Sequence, residues 1–290
     1  MTSASPLAAA APEITIVPFE AGHIEGALRL SREAGWPHRA EDWALTLSVS
    51  QGIVALRAGE VLGTALCSTF GAVSTINMII VDARMRGQGV GRKLMQAVLD
   101  LAGAAEMRLT ATVDGLPLYE KLGFAVTGQV FQHQGIAQSA APEVPVQVDD
   151  GAADTTDVAV LAAMDTSASG LARAGLIADI LREGTLLQAE RGFALLRAFG
   201  RGSVLGPVVA QDAATARALI AAGASRCAGD FLRIDLSDPA LASHAESLGL
   251  AHAGGGTAMK KAARPVADPA TDPVAETEFK TYALVSQAMG

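Results

Sequence analysis

Short apolar runs alternate with segments of helical spacing through the first half of the chain. Runs with apolar residues at alternate or consecutive positions predict strands, and the crowded run at 74–83 predicts a central strand buried on both faces. Between Val90 and Ala102 the apolar residues lie three or four positions apart, which predicts an amphipathic helix. In chain order the pattern predicts a strand at 13–19, helices at 23–35 and 41–49, strands at 52–57, 61–70 and 74–83, a helix at 89–103, a strand at 107–113, a helix at 116–122 and a strand at 123–131.

A compositional break at 136–152 divides the chain into two halves. This stretch combines two prolines with small polar and acidic residues, as interdomain linkers do. Beyond it, the hairpin pattern of residues 53–66 recurs at 193–210, and a Leu-Gly pair at 122–123 recurs at 248–249. We therefore expect a first domain at 13–135, a linker at 136–152, a related domain at 153–262, and a tether with a C-terminal docking segment at 263–290.

Composition excludes several classes of function. Half of the residues are hydrophobic and 18% are charged, so the chain can bury packed cores. Its 22 basic and 30 acidic residues give a net charge of −8, and no basic run exceeds two residues, which argues against nucleic acid as a partner. No apolar stretch approaches the roughly 18 residues of a membrane span, so we expect no membrane association and a cytoplasmic location. Cys67 and Cys227 lack the close spacing of metal ligands, so we expect no metal centre.

The segment at 82–93 carries the most specific chemical signal. It joins the central strand to the amphipathic helix through three glycines at alternate positions, so several backbone N–H groups can point at one phosphate at the positive end of the helix dipole. A dinucleotide fingerprint would need a glycine where Arg92 stands, and the Gly-Lys-Ser/Thr of a P-loop is absent. The residues alone leave two interpretations open, an anion-binding turn and an ordinary strand-to-helix turn with a basic, solvated edge.

Two motifs resemble those of a known superfamily. Arg86-Gly-Gln-Gly-Val-Gly91 resembles the pyrophosphate turn of the GCN5-related N-acetyltransferase (GNAT) superfamily, and Leu118-Tyr-Glu-Lys-Leu-Gly-Phe124 resembles its later Leu-Tyr motif. The second half is similar to the degenerate, GNAT-like C-terminal domain of two-domain members. The resemblance implies tandem α/β domains, each with a mixed, mostly antiparallel sheet that is flanked by helices and has splayed central strands.

The resemblance also implies the ligand contacts of the first, catalytic domain. Acetyl-CoA is the implied co-substrate, with no metal, and it would lie between splayed strands at 75–81 and 107–113. Many members carry an Asn seven residues before the motif Tyr, where this chain has Thr112. The implied cofactor-binding residues are Ile79, Ile80, Val81, Arg86, Gly87, Gln88, Gly89, Val90, Gly91, Arg92 and Lys93.

The resemblance assigns catalytic chemistry mainly to one residue. Tyr119 is the implied general acid, since a phenol near the sulfur can protonate the departing CoA thiolate. The alternative is an aromatic anchor for the short helix. A backbone N–H at Val81 or a neighbour would stabilise the developing oxyanion. No motif fixes a base, because Asp82 and Asp114 follow the two splayed strands, where an Asp is often a turn former.

Both tryptophans of the chain lie between the first two helices, a region that rims the acceptor cleft in this superfamily. Trp36, His38, Asp42 and Trp43 would hold an ammonium or aromatic substrate through cation–π and ion-pair contacts. The alternative is that the tryptophans are core residues and their polar neighbours are solvated. On the first interpretation a cationic amine is favoured over an acidic acceptor, since the protein is acidic overall.

Together these features predict direct acetyl transfer from acetyl-CoA to the primary amine of a small molecule in a ternary complex. Two alternatives stay open, a non-enzymatic acyl-CoA sensor and a protein N-terminal or lysine acetyltransferase. The second half lacks the glycine turn and has acidic Asp212 where phosphate would sit, so we expect one CoA per chain. The oligomeric state is open, a homodimer included.

Overall fold

The first half of the chain folds into the elements that its pattern predicts, in the same order. The computed structural model describes residues 13–103, 105–153, 156–263 and 278–290, so nearly all of the expected tether falls outside the described residues. The strands of this half are β1 (Thr15–Pro18), β2 (Ser50–Arg57), β3 (Glu60–Phe70), β4 (Val73–Val81), β5 (Glu106–Ala111) and β6 (Ala125–Ile136), and its helices are α1 (Ile24–Glu33), α2 (Ala40–Ser48), α3 (Val90–Ala102) and α4 (Leu116–Lys121).

The second half repeats the same arrangement of a strand hairpin, a long helix and a short helix. Its long helix, α7, begins where the side chain of Asp212 accepts a hydrogen bond from the Thr215 N–H, an N-cap interaction that stabilises helix starts. The strands of this half are β7 (Gln147–Asp149), β8 (Thr185–Ala189), β9 (Gly192–Phe199), β10 (Gly202–Ala210), β11 (Phe231–Leu236), β12 (Ala251–Lys261) and β13 (Lys280–Ala283), and its helices are α5 (Val158–Ser169), α6 (Ala174–Leu181), α7 (Ala213–Arg226) and α8 (Ala242–Ser247). No helix in the described ranges is long and apolar enough to cross a membrane.

The strands of both halves join in one mixed sheet, and the halves exchange strands at its centre. The order among the described strands is β1-β2-β3-β4-β5-β12-β6-β11-β13-β10-β9-β8-β7. Strand β12 of the second half lies between β5 and β6 of the first, and β6 in turn pairs with β11. Each half therefore satisfies backbone groups of the other. The sheet crosses the boundary that the linear sequence suggested near residue 135, and β7 lies within the stretch expected to be a linker.

Apolar side chains on both faces of this sheet form the cores. Helix α3 buries Leu94, Met95, Val98 and Leu99 against the first-half strands, each with at most 3% of its surface exposed. Burial of one such side chain stabilises the fold by about 1.5–3 kcal/mol. The helix ends at Gly103, whose φ of 67° suits glycine at a helix terminus. Packing of α3 on β2, β3 and β4 thus fixes where its N-terminus points.

In each half two parallel strands start as neighbours and then diverge. Strands β4 and β5 pair only at residues 73–75 with 106–108, and β10 and β11 pair only at 203–205 with 232–234. The gap between β4 and β5 opens into a cavity, whereas the gap between β10 and β11 holds β13. The expected splayed central strands are therefore present in both halves.

Candidate active site

The glycine turn leads from β4 into α3 and leaves an exposed helix N-terminus. Gly87 has φ 76° and Gly89, the N-cap residue of α3, has φ 75°, a left-handed conformation that glycine adopts without strain. A Cβ at either glycine would meet nothing within 4 Å, so the turn is open to a ligand. Gly91 is partly buried, and a Cβ there would lie 3.6 Å from the Val81 side chain. The first turn of α3 contains no acidic residue, which keeps its positive end free for an anion.

The expected cofactor-binding residues separate into exposed side chains and backbone-only positions. Arg86, Gln88, Arg92 and Lys93 are exposed around the turn. By contrast Ile80 and Val90 have at most 6% of their surface exposed and point into apolar cores, so only their backbone groups can meet a ligand. Residues 79–81 form the edge of β4 that faces the diverging β5, as a strand that pairs with a pantetheine chain would. Both groups of residues lie between the end of β4 and the first turn of α3.

The two aspartates that follow the splayed strands do not line the cavity. Asp82 is buried and bonded to Arg84 and Arg29, and the Arg84 guanidinium holds the pKa of this carboxyl well below its usual range. Such a carboxylate is a poor proton acceptor at neutral pH. Asp114 is exposed and lies 3.7 Å from the Arg86 guanidinium. Both carboxylates are therefore partners of arginines beside the turn.

Tyr119 lies on the wall of the cavity between β4 and β5, together with Ile79 and Thr112. Its ring is 7% exposed and meets Phe124 edge to face at 6.2 Å. A Cβ at Gly115 would come within 2.7 Å of the ring, so the glycine makes room for the tyrosine. Burial raises the pKa of Tyr119 to about 12, which keeps the phenol protonated at neutral pH. A protonated phenol at the cavity wall can donate a proton.

A bulge in β4 lies next to a polar residue of the same cavity, Asn77. Met78 has φ 49°, and the register of β3 with β4 shifts at this point. The bulge lies three residues before Val81, the position around which the sequence predicted the oxyanion-binding N–H. Next to it, Asn77 donates hydrogen bonds to Ser68 and Thr75, while its buried Oδ1 atom has no partner among the described residues. The bulge therefore lies beside an unpaired amide oxygen of a residue that lines the cavity together with Tyr119.

The predicted acceptor residues are divided between the cavity and the core. Trp36 and His38 line the cavity, with ring centroids 5.6 Å apart. Burial lowers the pKa of His38 to about 4, so its imidazole is neutral at physiological pH. The buried Nδ1 atom of His38 also has no partner in the described structure.

The other two predicted acceptor residues are structural, which corrects their assignment. Trp43 is fully buried, stacks on Phe19 at 5.7 Å and donates a hydrogen bond to Ser31. Asp42 is buried and accepts hydrogen bonds from Arg39 and from the backbone N–H of Gly200, which lies at the tip of the β9–β10 hairpin. The apolar face of α2 carries both side chains inward. Asp42 thus fastens the second half to the first.

The second half closes the cavity with residues that sequence reasoning did not assign to a site. Phe199 and Arg201 come from the β9–β10 hairpin and Arg233 from β11, and all three line the cavity. Ser286, Gln287 and Ala288 reach it from the segment that follows β13. Only the swap of strands between the halves brings these residues beside Tyr119, so no local pattern could reveal them.

Comparison with known families agrees with this geometry. A model described as an acetyltransferase (GNAT) domain matches residues 36–139, and a second model with the same description matches residues 161–272. The chain belongs to the GNAT superfamily. As a tandem GNAT protein it contains two consecutive domains of one family, of which the first carries both motifs.

Relatives of this tandem GNAT protein include a similar sequence and several similar folds. The uncharacterized N-acetyltransferase YitH of Bacillus subtilis is 37% identical over 112 residues, a stretch that covers 37% of this chain and 39% of YitH. A candidate acetyltransferase from Pyrococcus horikoshii shares the fold over 100% of this chain and 99% of its own, with a TM-score of 0.77 and 17% identity. A tandem GNAT protein from the clavulanic acid biosynthesis pathway matches 88% of this chain and 100% of its own, with a TM-score of 0.59 and 13% identity.

Proposed function

We propose that this protein transfers the acetyl group of acetyl-CoA to the primary amine of a small molecule by direct attack in a ternary complex. The observation that carries the proposal is a protonated, buried Tyr119 on the wall of the cavity between the diverging strands β4 and β5. The superfamily uses acetyl-CoA, and the residues of the turn suit its anionic end. A catalytic domain at 13–135, a linker at 136–152 and a degenerate domain at 153–262 are part of the proposal.

The glycine turn fits the pyrophosphate of acetyl-CoA by its shape and charge. The N–H groups of Arg86 and Gln88 are hydrogen-bonded within the turn, which leaves those of Gly87 and of residues 89–91 for an anion at the N-terminus of α3. Arg92 and Lys93 add positive charge there. The edge of β4 at residues 79–81 has backbone groups directed toward the gap, which suits the amides of a pantetheine arm. Thr112 lines the cavity at the place where many family members have Asn. When bound, acetyl-CoA supplies the acetyl group as a reactive thioester.

Residues of this chain would act on two protons, the one that the departing sulfur gains and the one on the attacking amine. Tyr119 would donate its phenolic proton to the departing sulfur, and with a pKa of about 12 the phenol still holds that proton at neutral pH before the step. The acceptor amine must arrive neutral to attack. His38, a neutral imidazole on the cavity wall, and the free Oδ1 of Asn77 offer hydrogen-bond acceptors to that amine. Attack of the nitrogen on the thioester carbonyl forms the C–N bond and breaks the C–S bond. The proton that the nitrogen loses replaces the one that Tyr119 gives to sulfur, so no carboxylate base is required in this scheme.

The enclosure of the cavity favours a small acceptor over a protein chain. The cavity holds about 330 Å³, close to the lower end of ligand pockets in proteins, roughly 300–1,000 Å³. The β9–β10 hairpin and residues 286–288 add further walls to this cavity. A protein N-terminal or lysine acetyltransferase is therefore the less favoured alternative.

Release of CoA thiol with a panel of amines tests the proposal and separates it from a non-enzymatic sensor. We expect amine-dependent thiol release above the background hydrolysis of acetyl-CoA, and its strong reduction in Tyr119→Phe. A sensor would bind acetyl-CoA in calorimetric titration with no amine in the panel accelerating thiol release. That pattern would overturn the proposed activity.

A further inference from the structure

The acceptor end of the cavity is basic, although the protein as a whole carries a net charge of −8. Two arginines, Arg201 and Arg233, line this end, and none of the described lining residues is an aspartate or a glutamate. A third, Arg197, lies close behind, with its guanidinium 5.1 Å from the centroid of the Phe199 ring. Buried carboxylates face two of these guanidiniums, Asp235 that of Arg233 and Asp42 that of Arg197. Among the described residues, the positive charge without a carboxylate partner at this end is therefore that of Arg201.

Arg233 is held rigidly and keeps one guanidinium nitrogen, Nη1, without a partner among the described residues. It is 8% exposed, and its Nε and Nη2 atoms both donate to the buried carboxylate of Asp235. Its Nη1 atom makes no hydrogen bond to any residue in the described part of the chain. The guanidinium also lies 5.3 Å from the Phe199 ring. A planar donor fixed in this way is suited to a carboxylate or phosphate oxygen.

Arg201 lies at the mouth of the same cavity and has no carboxylate partner among the described residues. The β9–β10 hairpin carries it, and its guanidinium lies 5.7 Å from the Phe231 ring. The hairpin tip is fixed against the first half by the bond from Gly200 N–H to Asp42 and by a bond from Arg39 to the Ala198 carbonyl. The positive charge of Arg201 is therefore held over the cavity by the contact between the two halves.

Unpaired polar atoms mark where the other end of a ligand would lie. Three residues that line this one cavity each carry a buried side-chain atom without a partner in the described structure, namely His38 Nδ1, Asn77 Oδ1 and Ser286 Oγ. A buried polar atom without a partner costs about 1–3 kcal/mol, so a ligand that pairs with it gains that free energy. Asn77 Oδ1 can only accept, which matches an amine N–H.

We infer that the acceptor is a small primary amine that also carries an anionic group, a carboxylate or a phosphate, bound by Arg201 and Arg233 of the second half. The amine would lie at Asn77, near Tyr119, and the anion at the two guanidiniums. The inference rests on the proposed function for the reaction, but it concerns the recognition of the acceptor. It reverses the expectation, drawn from net charge and from the acidic residues of α2, that an acidic acceptor is disfavoured.

The test uses amines of matched length in three forms: an amino acid, its primary amide, and the aminoalkyl phosphate. Thiol release gives kcat/KM for each, and calorimetric titration in the presence of saturating CoA gives direct affinity. We expect the wild type to favour an anionic form over the amide by at least about tenfold, the least that a charge-assisted hydrogen bond supplies. The phosphate and the amino acid distinguish the two sources of negative charge.

Substitution of Arg201 then asks whether the arginine sets this preference. Arg201→Gln should lower kcat/KM for the anionic amine about 10- to 100-fold while leaving the amide and the affinity for acetyl-CoA unchanged. Arg201→Lys should recover part of the preference. Arg191→Gln is the matched control, because Arg191 lies on the β8–β9 turn of the same half and does not line the cavity.

The outcomes separate this inference from the proposed function. Turnover of neutral amines with no preference for the anionic form, or a preference that Arg201→Gln leaves intact, would overturn the inference alone. If no amine is acetylated, but the anionic amine binds to the wild type and not to Arg201→Gln, the recognition site stands and the proposed reaction fails. Absence of both turnover and binding would overturn both.

Discussion

The two halves of the chain build the same pair of diverging strands and use the gap in different ways. In the first half the gap between β4 and β5 is a cavity next to Tyr119. In the second half β13 enters the gap and pairs with β10 at 208–210 and with β11 at Leu236. Residues 208–210 are the last three of β10, as the implied pantetheine-binding residues 79–81 are of β4. The C-terminal segment thus lies where a ligand would lie in the first half.

The residues around the two gaps also differ, and again the features that suit a ligand are in the first half. Gly89 caps α3, whereas Asp212 caps α7 with a carboxylate and is paired with Arg191 at 3.0 Å. Counting back from the shared Leu-Gly pair, Ala245 stands in the second half where Tyr119 stands in the first, and it is fully buried. Diverging strands need a hydrogen-bond partner for their free backbone groups, and either a ligand or the chain itself can supply it.

The largest contrast should come from a charge placed at each helix N-terminus. Gly89→Glu puts a negative charge and a side chain where phosphate would bind, so we expect calorimetry to detect no binding of acetyl-CoA. Ala214→Glu, in the first turn of α7, is the matched control and should bind like the wild type. Gly89→Asn tolerates positive φ without added charge and should bind with intermediate affinity. Wild-type affinity in folded Gly89→Glu would contradict the location of the pyrophosphate.

The two tyrosines of the chain give the next contrast, because one lies in each gap. Tyr119→Phe should lower kcat about 100-fold with little change in the KM for acetyl-CoA, since the phenol acts on the leaving sulfur rather than in binding. Tyr282→Phe, in β13, should leave kcat unchanged. Thiol-release kinetics provide the measurement. A Tyr119→Phe enzyme within about twofold of the wild type would make that residue an aromatic anchor.

Removal of the C-terminal segment should change the acceptor side without creating a second cofactor site. A chain ending at residue 278 lacks β13 and the cavity wall at 286–288, so we expect the KM for the amine to rise about tenfold. Titration should still give one acetyl-CoA per chain, because α7 keeps Asp212 at its N-terminus. Since the deletion also removes buried side chains, Gln287→Ala, which keeps β13, should show the KM effect in part. A stoichiometry near two in either variant would contradict the expectation that only the first gap binds acetyl-CoA.

The smallest effect on chemistry is expected at the contact between the halves. Asp42→Asn removes the charge that binds Arg39 and Arg197, which should cost about 1–3 kcal/mol of unfolding free energy and leave acetyl-CoA affinity unchanged. The hydrogen bonds from Arg39 lower the pKa of Asp42 despite its burial, so its stabilising contribution is present above the unfolded pKa of about 4 and is lost as pH falls below it. Melting curves from neutral to acid pH provide the measurement. A constant difference between wild type and variant through this range would contradict the assignment.

The local pattern predicted the elements of the first half because each depends on residues close in sequence. The turn at 57–60, the glycine turn and the capped helix α3 are fixed by spacing and by backbone conformation that only a few residues adopt. The same holds for Tyr119, since its motif lies on one short helix next to Gly115. The assignment of Asp42 and Trp43 failed for the opposite reason. Nothing in the pattern states which side of a short helix such as α2 faces a partner that lies 158 residues away in the chain, as Gly200 does from Asp42.

The sequence by itself determined the family, the order of elements in the first half, the glycine turn and the loss of that turn in the second half. Only the tertiary structure decided that β12 and β6 cross between the halves, that β13 fills the second gap, and that arginines of the second half face the cavity of the first. Strand pairing and burial are long-range choices, set by which edges and apolar faces meet, and they leave no periodic signal along the chain. The charge at the proposed acceptor site therefore depends on tertiary contacts rather than on net composition.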